Sequence, residues 1–330
     1  MKRIFKHVTC PFLFKIQYLT WLIIFILVSL SYAANNFKIV RVRQNDTLST
    51  LAQNYLNDRT KGWMIAEYNG IRSVSAGQEI IIPLKPFNKG GLFASGYQTV
   101  PVLSYHRFTR DKKSKNRMVV TQAAFEAQMN YLKDNKYTVV TLSQFYAFLD
   151  FEDQIPEKSV VITIDDGFRS AFDIAYPILK KFNYPATFFL YTGIVGSKNA
   201  MTWKQIQELK QSGFDIQSQT RTHRDMSKLL KGENFKSYIS RLEKEITWAQ
   251  RNIRDKIAIT PVFMAYPYGK WNHLVIALLK KHGFRGGLTV ERGSNPFFTD
   301  NFEVKRAMIY GTYDLNTFKI NLKTFVKEGL

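Results

Sequence analysis

Two adjacent carboxylates, Asp165 and Asp166, end the apolar run VVITIDDGF and are followed by Gly167. At a strand end, one can hold a hard or borderline cation while the other accepts a proton. The same letters also describe an ordinary turn with a helix cap. A second stretch, FDIQSQTRTHRDM, reads as a strand over 214–218 running into a polar turn that ends at His223. Gln219 sits four residues earlier, where a metal site would want a second imidazole. An amide oxygen can ligate a cation, but it is neutral and a poor zinc ligand beside imidazole, so it favours a harder metal. Alone, a histidine such as His223 is exposed or hydrogen-bonded more often than it is a ligand. A third stretch, FMAYPYGKWN, ends in the rigid turn Tyr266-Pro267-Tyr268-Gly269. Its backbone N–H groups can face a substrate oxygen, although a structural turn needs no function.

Positioning these groups falls to alternating elements. Strands are expected at 100–105, 137–140, 160–164, 186–191, 214–217, 261–266 and 285–290, with helices between them. The clearest helix covers 235–253, with Phe235, Ile239, Leu242, Ile246, Ala249 and Ile253 three or four apart. Another covers 121–133, with Phe125, Met129 and Leu132 on one face. Strand–helix alternation argues for an α/β fold with a parallel sheet, open or closed into a barrel. Catalytic groups of such barrels sit at the C-terminal ends of the strands, which is where all three stretches lie.

Before this domain lies a smaller one, over residues 37–84. Ile39, Val40 and Val42 make a short strand, and Asp46-Thr47 caps a helix carrying Leu48, Leu51, Ala52 and Tyr55. A second helix covers 63–68, Asn69-Gly70 ends it, and GQEIIIP supplies a closing strand. This βααβ unit has the size of a binding module, with no carboxylate pair or histidine for chemistry. Residues 85–99 are rich in Gly and Lys without periodicity and read as a linker. The large domain then covers 100–330.

Residues 1–33 have the parts of a secretory signal: Lys2, Arg3, Lys6 and Lys15, then an apolar stretch over 19–30, then Ser31-Tyr32-Ala33. An uncleaved N-terminal anchor is the alternative. The expected location is secreted, periplasmic or associated with a bacterial cell envelope. Cys10, the one cysteine, precludes a disulfide framework. The 330 residues carry 45% hydrophobic and 15% aromatic side chains, which excludes a mainly disordered chain. The net charge of +21 suits an anionic envelope surface or acidic glycan as well as mere solubility. No zinc-finger spacing, RNP-type motif or Arg-rich helix supports nucleic acid as a partner.

Asn45-Asp46-Thr47-Leu48, Leu51-Ala52, Asn69-Gly70 and Gly77-Gln78-Glu79-Ile80-Ile81-Ile82-Pro83 resemble the LysM family. That resemblance implies binding of glycans containing N-acetylglucosamine, such as peptidoglycan or chitin oligomers, with Asp46, Thr47 and Asn69 as candidate contacts. Thr163-Ile164-Asp165-Asp166-Gly167, the IQSQTRTHRDM stretch and Ala265-Tyr266-Pro267-Tyr268-Gly269 together resemble the NodB-type polysaccharide deacetylases, carbohydrate esterase family four. VPVLSYHRF resembles the branch that includes poly-N-acetylglucosamine deacetylases. The resemblance implies a distorted (β/α) barrel of NodB type. It also implies metal-dependent removal of acetyl groups from N-acetylglucosamine residues, with zinc the usual metal.

Carried over, Asp165 is the general base. Asp166, His223 and Gln219 hold the metal. The Tyr268 backbone N–H faces the oxyanion, and Tyr266 and Pro267 line the substrate. The family's acid-bearing Leu-x-His segment is missing, with VKRAMIYGTYDLNTF in its place, so His106 becomes the candidate acid by default. The arginine that orients the base is also missing; Ala265 stands there, and Arg306 is the candidate substitute. Gln219 leaves two other readings open: a glycan-binding protein on a disabled deacetylase fold, or an esterase acting on O-acetyl groups.

Overall fold

The computed structural model describes residues 36–328. The signal or anchor reading, and Cys10, lie outside the described residues. Two compact units divide between Phe87 and Asn88.

The first unit runs β1 (Phe37–Arg41), α1 (Leu48–Leu56), a 3₁₀ turn at Arg59–Lys61, α2 (Gly62–Asn69) and β2 (Glu79–Pro83). β1 and β2 pair antiparallel, Phe37 opposite Pro83. Thr47 caps α1 by accepting from the Thr50 N–H, and Thr50 accepts from the Thr47 N–H in return. Val42, Leu51, Ala52, Ile65, Ile80 and Ile82 close a small core of their own.

The second unit begins with β3 (Leu92–Phe93) and β4 (Gly96–Gln98), inside the segment expected to be a structureless linker. β4 pairs with the last strand, β16 (Phe325–Lys327), across the whole domain. Strands this short show no periodicity, and their partner is far away in sequence. Nor is Gly96 a mark of flexibility: it holds φ 143°, and a Cβ there would strike the Val326 carbonyl.

The central elements follow in order: β5 (Val100–Tyr105), β6 (Arg107–Thr109), β7 (Val119–Thr121), α3 (Gln122–Asp134), β8 (Thr138–Val139), α4 (Leu142–Leu149) and β9 (Ser159–Ile164). Next come α5 (Tyr176–Phe182), β10 (Thr187–Leu190), α6 (Trp203–Gln211), β11 (Asp215–Ser218), α7 (Phe235–Ile257), β12 (Phe263–Ala265) and α8 (His273–Lys281). The chain closes with β13 (Gly286–Leu288), β14 (Ser294–Asn295), β15 (Ala307–Met308) and α9 (Leu315–Ile320) before β16. The main sheet has the order β13-β12-β11-β10-β9-β5-β14, and β15 also pairs β5.

The parallel strands β5 and β9 are buried at every position, as helices on one face and a filled interior on the other require. Val102, Val161, Phe189, Phe263, Ala265 and Leu288 share one core cluster. Leu103, Tyr105, Ile162, Ile164, Phe188 and Leu190 belong to another, which also takes in Phe125, Met129 and Leu132 of α3. The sheet curls round on itself. β15 pairs parallel with β5, while Val304, just before it, bridges Leu288 of β13. This is the distorted barrel expected from the sequence.

Candidate active site

Four strand ends supply the site. Asp165 and Asp166 follow β9, His106 follows β5, Gln219 follows β11, and the Tyr266–Gly269 turn follows β12. The backbone is unusual where they meet. Asp166, Thr220, His223 and Tyr268 all take positive φ, at 74°, 69°, 59° and 56°. Non-glycine residues enter that region at a cost, and such outliers cluster at functional sites.

Asp165 is buried, and its Oδ1 accepts from Arg306 Nη1 at 2.8 Å. Arg306 is itself fully buried, donating through Nε to the Thr289 carbonyl at 2.8 Å and through Nη1 to Thr163 Oγ1 at 3.2 Å. The sequence places Arg306 far from the motifs, but the curl of the sheet sets it directly before β15, beside β5. Asp165 Oδ2 is buried without a hydrogen-bond partner and lies 4.0 Å from His106 Nε2.

Asp166 Oδ1 is likewise buried without a hydrogen-bond partner, 3.4 Å from His223 Nε2. Burial, with the neighbouring Asp165 charge, raises the Asp166 pKa, against the opposing pull of His106, Arg107 and Arg306. Burial lowers the His223 pKa, which favours a neutral ring. The ring lies between Tyr191 and Tyr268, with centroids 5.1 and 4.8 Å away.

Gln219 behaves differently. Its Oε1 accepts from the Asp166 backbone N–H at 2.8 Å, which fixes the amide's orientation. Its Nε2 therefore faces His223 Nε2, at 3.1 Å. The amide presents hydrogens, not an oxygen, towards the imidazole. Among the described residues, no cluster of three or more His, Cys, Asp or Glu side chains is arranged around one point. The two partnerless carboxylate oxygens and the neutral imidazole are nonetheless the chemistry that a divalent cation satisfies, so Asp166 and His223 fit as its holders.

One residue escaped the sequence reading. Glu245, buried on α7, accepts from the Arg221 and Thr222 N–H groups at 3.1 and 2.8 Å and from Thr222 Oγ1 at 2.8 Å. It anchors the turn that carries His223. The signal was present: Glu245 is a charge on the apolar stripe of Leu242, Ile246 and Ala249. In the other direction, Tyr266 and Pro267 are buried, so neither is available to a glycan. Tyr266 donates its hydroxyl to the Phe302 carbonyl at 2.9 Å and supports the turn from below. Tyr268, 62% exposed, is the residue that turn presents.

In the small unit, Asp46 accepts from the Arg43 N–H at 2.8 Å, and Thr47 is the cap of α1. The Asn69 amide donates to the Ile65 and Ile81 carbonyls at 2.8 and 2.6 Å and accepts from the Ile81 N–H at 2.8 Å. Its side chain is committed to tying α2 to β2. Beside β1 lies a cavity of about 480 Å³ whose lining includes Lys38, Arg41, Arg43, Asp46 and Tyr55.

Fold and site together define a curled α/β barrel with paired strand-end carboxylates. Residues 152–287 match the polysaccharide deacetylase family, and residues 40–83 match the LysM domain. A Bacillus subtilis (strain 168) protein named for the polysaccharide deacetylases is 29% identical over 195 residues, covering 59% of this chain and 66%, just under two thirds, of that protein. The poly-beta-1,6-N-acetyl-D-glucosamine N-deacetylase of Staphylococcus aureus (strain MRSA252) is 27% identical over 63% of this chain and 77% of its own length. The solved de-N-acetylase of Aggregatibacter actinomycetemcomitans superposes with a TM-score of 0.60 at 25% identity, over 68% of this chain and 99% of that one. The chain thus carries a segment matching the polysaccharide deacetylase family model and, N-terminal to it, a segment matching the LysM domain.

Proposed function

We propose that this protein removes acetyl groups from the N-acetylglucosamine residues of an envelope polysaccharide, either poly-N-acetylglucosamine or peptidoglycan. One observation carries the reading: Asp165 is held on one oxygen by the buried Arg306 while its other oxygen stays partnerless and faces His106. A carboxylate so fixed is oriented to take a proton from water, and His106 is placed to give one to the leaving amine. The Tyr268 backbone N–H faces the oxyanion of the attacked acetamide. Asp166 and His223 would hold a divalent metal, zinc or a harder ion. When bound, it supplies polarisation of the carbonyl and acidification of water. The LysM unit binds the same class of glycan, in the cell envelope. Among the described residues, no helix is long and apolar enough to cross a membrane.

The test is acetate release from acetylated chitin oligomers, peptidoglycan and poly-N-acetylglucosamine, with zinc, cobalt, nickel or manganese supplied in turn. Asp165→Asn is expected to abolish release, by roughly a thousandfold or more, since one group loses both proton transfer and its charge. No acetate with any metal would sink the enzyme reading. Retained activity in Asp165→Asn would remove Asp165 from the role of base. A second reading, glycan binding on a disabled fold, is favoured by the orientation of Gln219; binding without acetate release under every metal is its signature.

A further inference from the structure

We infer that a cavity of about 410 Å³ beside the deacetylation site, lined by Arg117, Val290, Arg292, Met308, Tyr310 and Tyr313, is a subsite for a carboxylate-bearing sugar of the glycan chain. Its position follows from the strands. Met308 is in register with Ser104, and the Ile309 N–H donates to the Ser104 carbonyl at 2.9 Å, two residues before His106. Arg306, which holds Asp165, lies two residues before Met308. Val119, close after Arg117, is in register with Arg107, the neighbour of His106. Val290 packs on Gly269 of the Tyr268 turn, so closely that a Cβ at Gly269 would collide with it. The cavity therefore opens among the same strand-end loops that carry the proposed base and acid.

Its chemistry is cationic and aromatic. The Arg117 guanidinium lies 3.9 Å above the Tyr310 ring, and Arg292 lies 5.9 Å from the Tyr313 ring and donates to the Tyr313 hydroxyl. The two tyrosines meet edge to face at 5.3 Å. Among the described residues, neither arginine forms an ion pair with a carboxylate, and no acidic side chain lines the cavity. The Arg117 guanidinium, stacked on its ring, keeps its in-plane N–H fork for a planar carboxylate, and Arg292, with one N–H on the Tyr313 hydroxyl, retains further donors for the same group. The tyrosine faces, Val290 and Met308 offer the flat apolar surface on which a sugar ring packs. The volume lies within the range of about 300–1,000 Å³ usual for ligand sites. The site is thus fitted to a hexuronate, or to a sugar carrying a carboxylated ether, next to the N-acetylglucosamine residue being deacetylated.

This inference rests on the proposed deacetylase reading for its substrate class, but its test does not use turnover. The intact chain with Asp165→Asn is titrated calorimetrically with two hexasaccharides. One alternates N-acetylglucosamine with glucuronate, and the other is all N-acetylglucosamine. The acidic hexamer is expected to bind more tightly. Adding Arg117→Ala and Arg292→Ala should shrink that preference by roughly tenfold or more, as loss of charge-assisted hydrogen bonds predicts. Arg→Lys at both positions, which keeps charge but not the fork, should restore it only in part, and it also controls for misfolding. Equal binding of the two hexamers, including no measurable binding of either, overturns the subsite. So does a preference that survives the double alanine change, which would place acid recognition elsewhere on this basic chain. Inorganic phosphate competing better than free glucuronate would overturn the carboxylate assignment.

Discussion

On the proposed reading, Gln219 governs how well the site holds a cation, because its amide is held in one orientation by its neighbour. The Asp166 N–H takes its oxygen, so its NH₂ faces His223. A histidine at this position gives up that bond and brings a lone pair to the same space. Gln219→His is therefore expected to tighten zinc binding by roughly tenfold or more, the equivalent of about 1.4 kcal/mol. Competition with a chromophoric chelator measures it directly, independently of activity; an unchanged affinity would show that residue 219 does not face the cation. Arg306 makes a different point at the same scale. A buried guanidinium beside a buried carboxylate offsets a desolvation cost that either group would otherwise meet alone. The resemblance leads to the expectation of an arginine where Ala265 stands, and the charge arrives from the far end of the domain instead.

At the scale of elements, the sequence was legible wherever a pattern is local. The apolar stripe of α7 announced its helix, which continues to Ile257, four residues past the last periodic position used to define it. The strand end carrying Asp165 was equally plain, because a continuous apolar run stops abruptly at two carboxylates. Contacts between distant segments were not legible. β4 finds β16 across more than two hundred residues, and nothing in the Gly- and Lys-rich stretch around it encodes that partner. Tyr266 and Pro267 show the opposite error, since an aromatic turn in a motif invites a surface role when burial assigns a supporting one. Glu245 lies between these cases, visible as a charge on an apolar face but meaningful only once the His223 turn is seen against α7. Its three hydrogen bonds fix that turn, in which Thr220 and His223 both hold positive φ. Glu245→Ala is expected to lower stability by about 1–3 kcal/mol, the loss of charged hydrogen bonds to exposed groups. It should also lower kcat more than it raises KM, because the turn then carries His223 in several positions. Denaturant unfolding and steady-state kinetics check both. Partial recovery in Glu245→Gln, which keeps an acceptor oxygen, separates positioning from a general loss of packing; no change in kcat would leave Glu245 with a structural role alone.

Across the whole molecule, the chain joins two units with separate cores and a common excess of positive charge. The LysM unit closes its core on Leu51, Ala52, Ile65, Ile80 and Ile82, without side chains from the deacetylase unit. Its cavity beside β1 is bordered by Lys38, Arg41 and Arg43, whereas the deacetylase unit bears its own arginine pair at Arg117 and Arg292. Two modules with affinity for one polymer act through effective concentration, which matters for an insoluble wall and little for a short soluble oligomer. Removing residues 1–87 should therefore leave kcat/KM on a soluble chitin hexamer within about twofold, while release of acetate from insoluble glycan falls by about tenfold or more. Raising the salt from low to physiological levels would weaken attachment to an anionic polymer through screening, narrowing the difference between the full and shortened chains. An equal loss on both substrates would instead mean that the LysM unit is needed for the deacetylase domain to fold or to complete its site. An equal rate on insoluble glycan would mean that the basic surface of the deacetylase unit suffices for attachment.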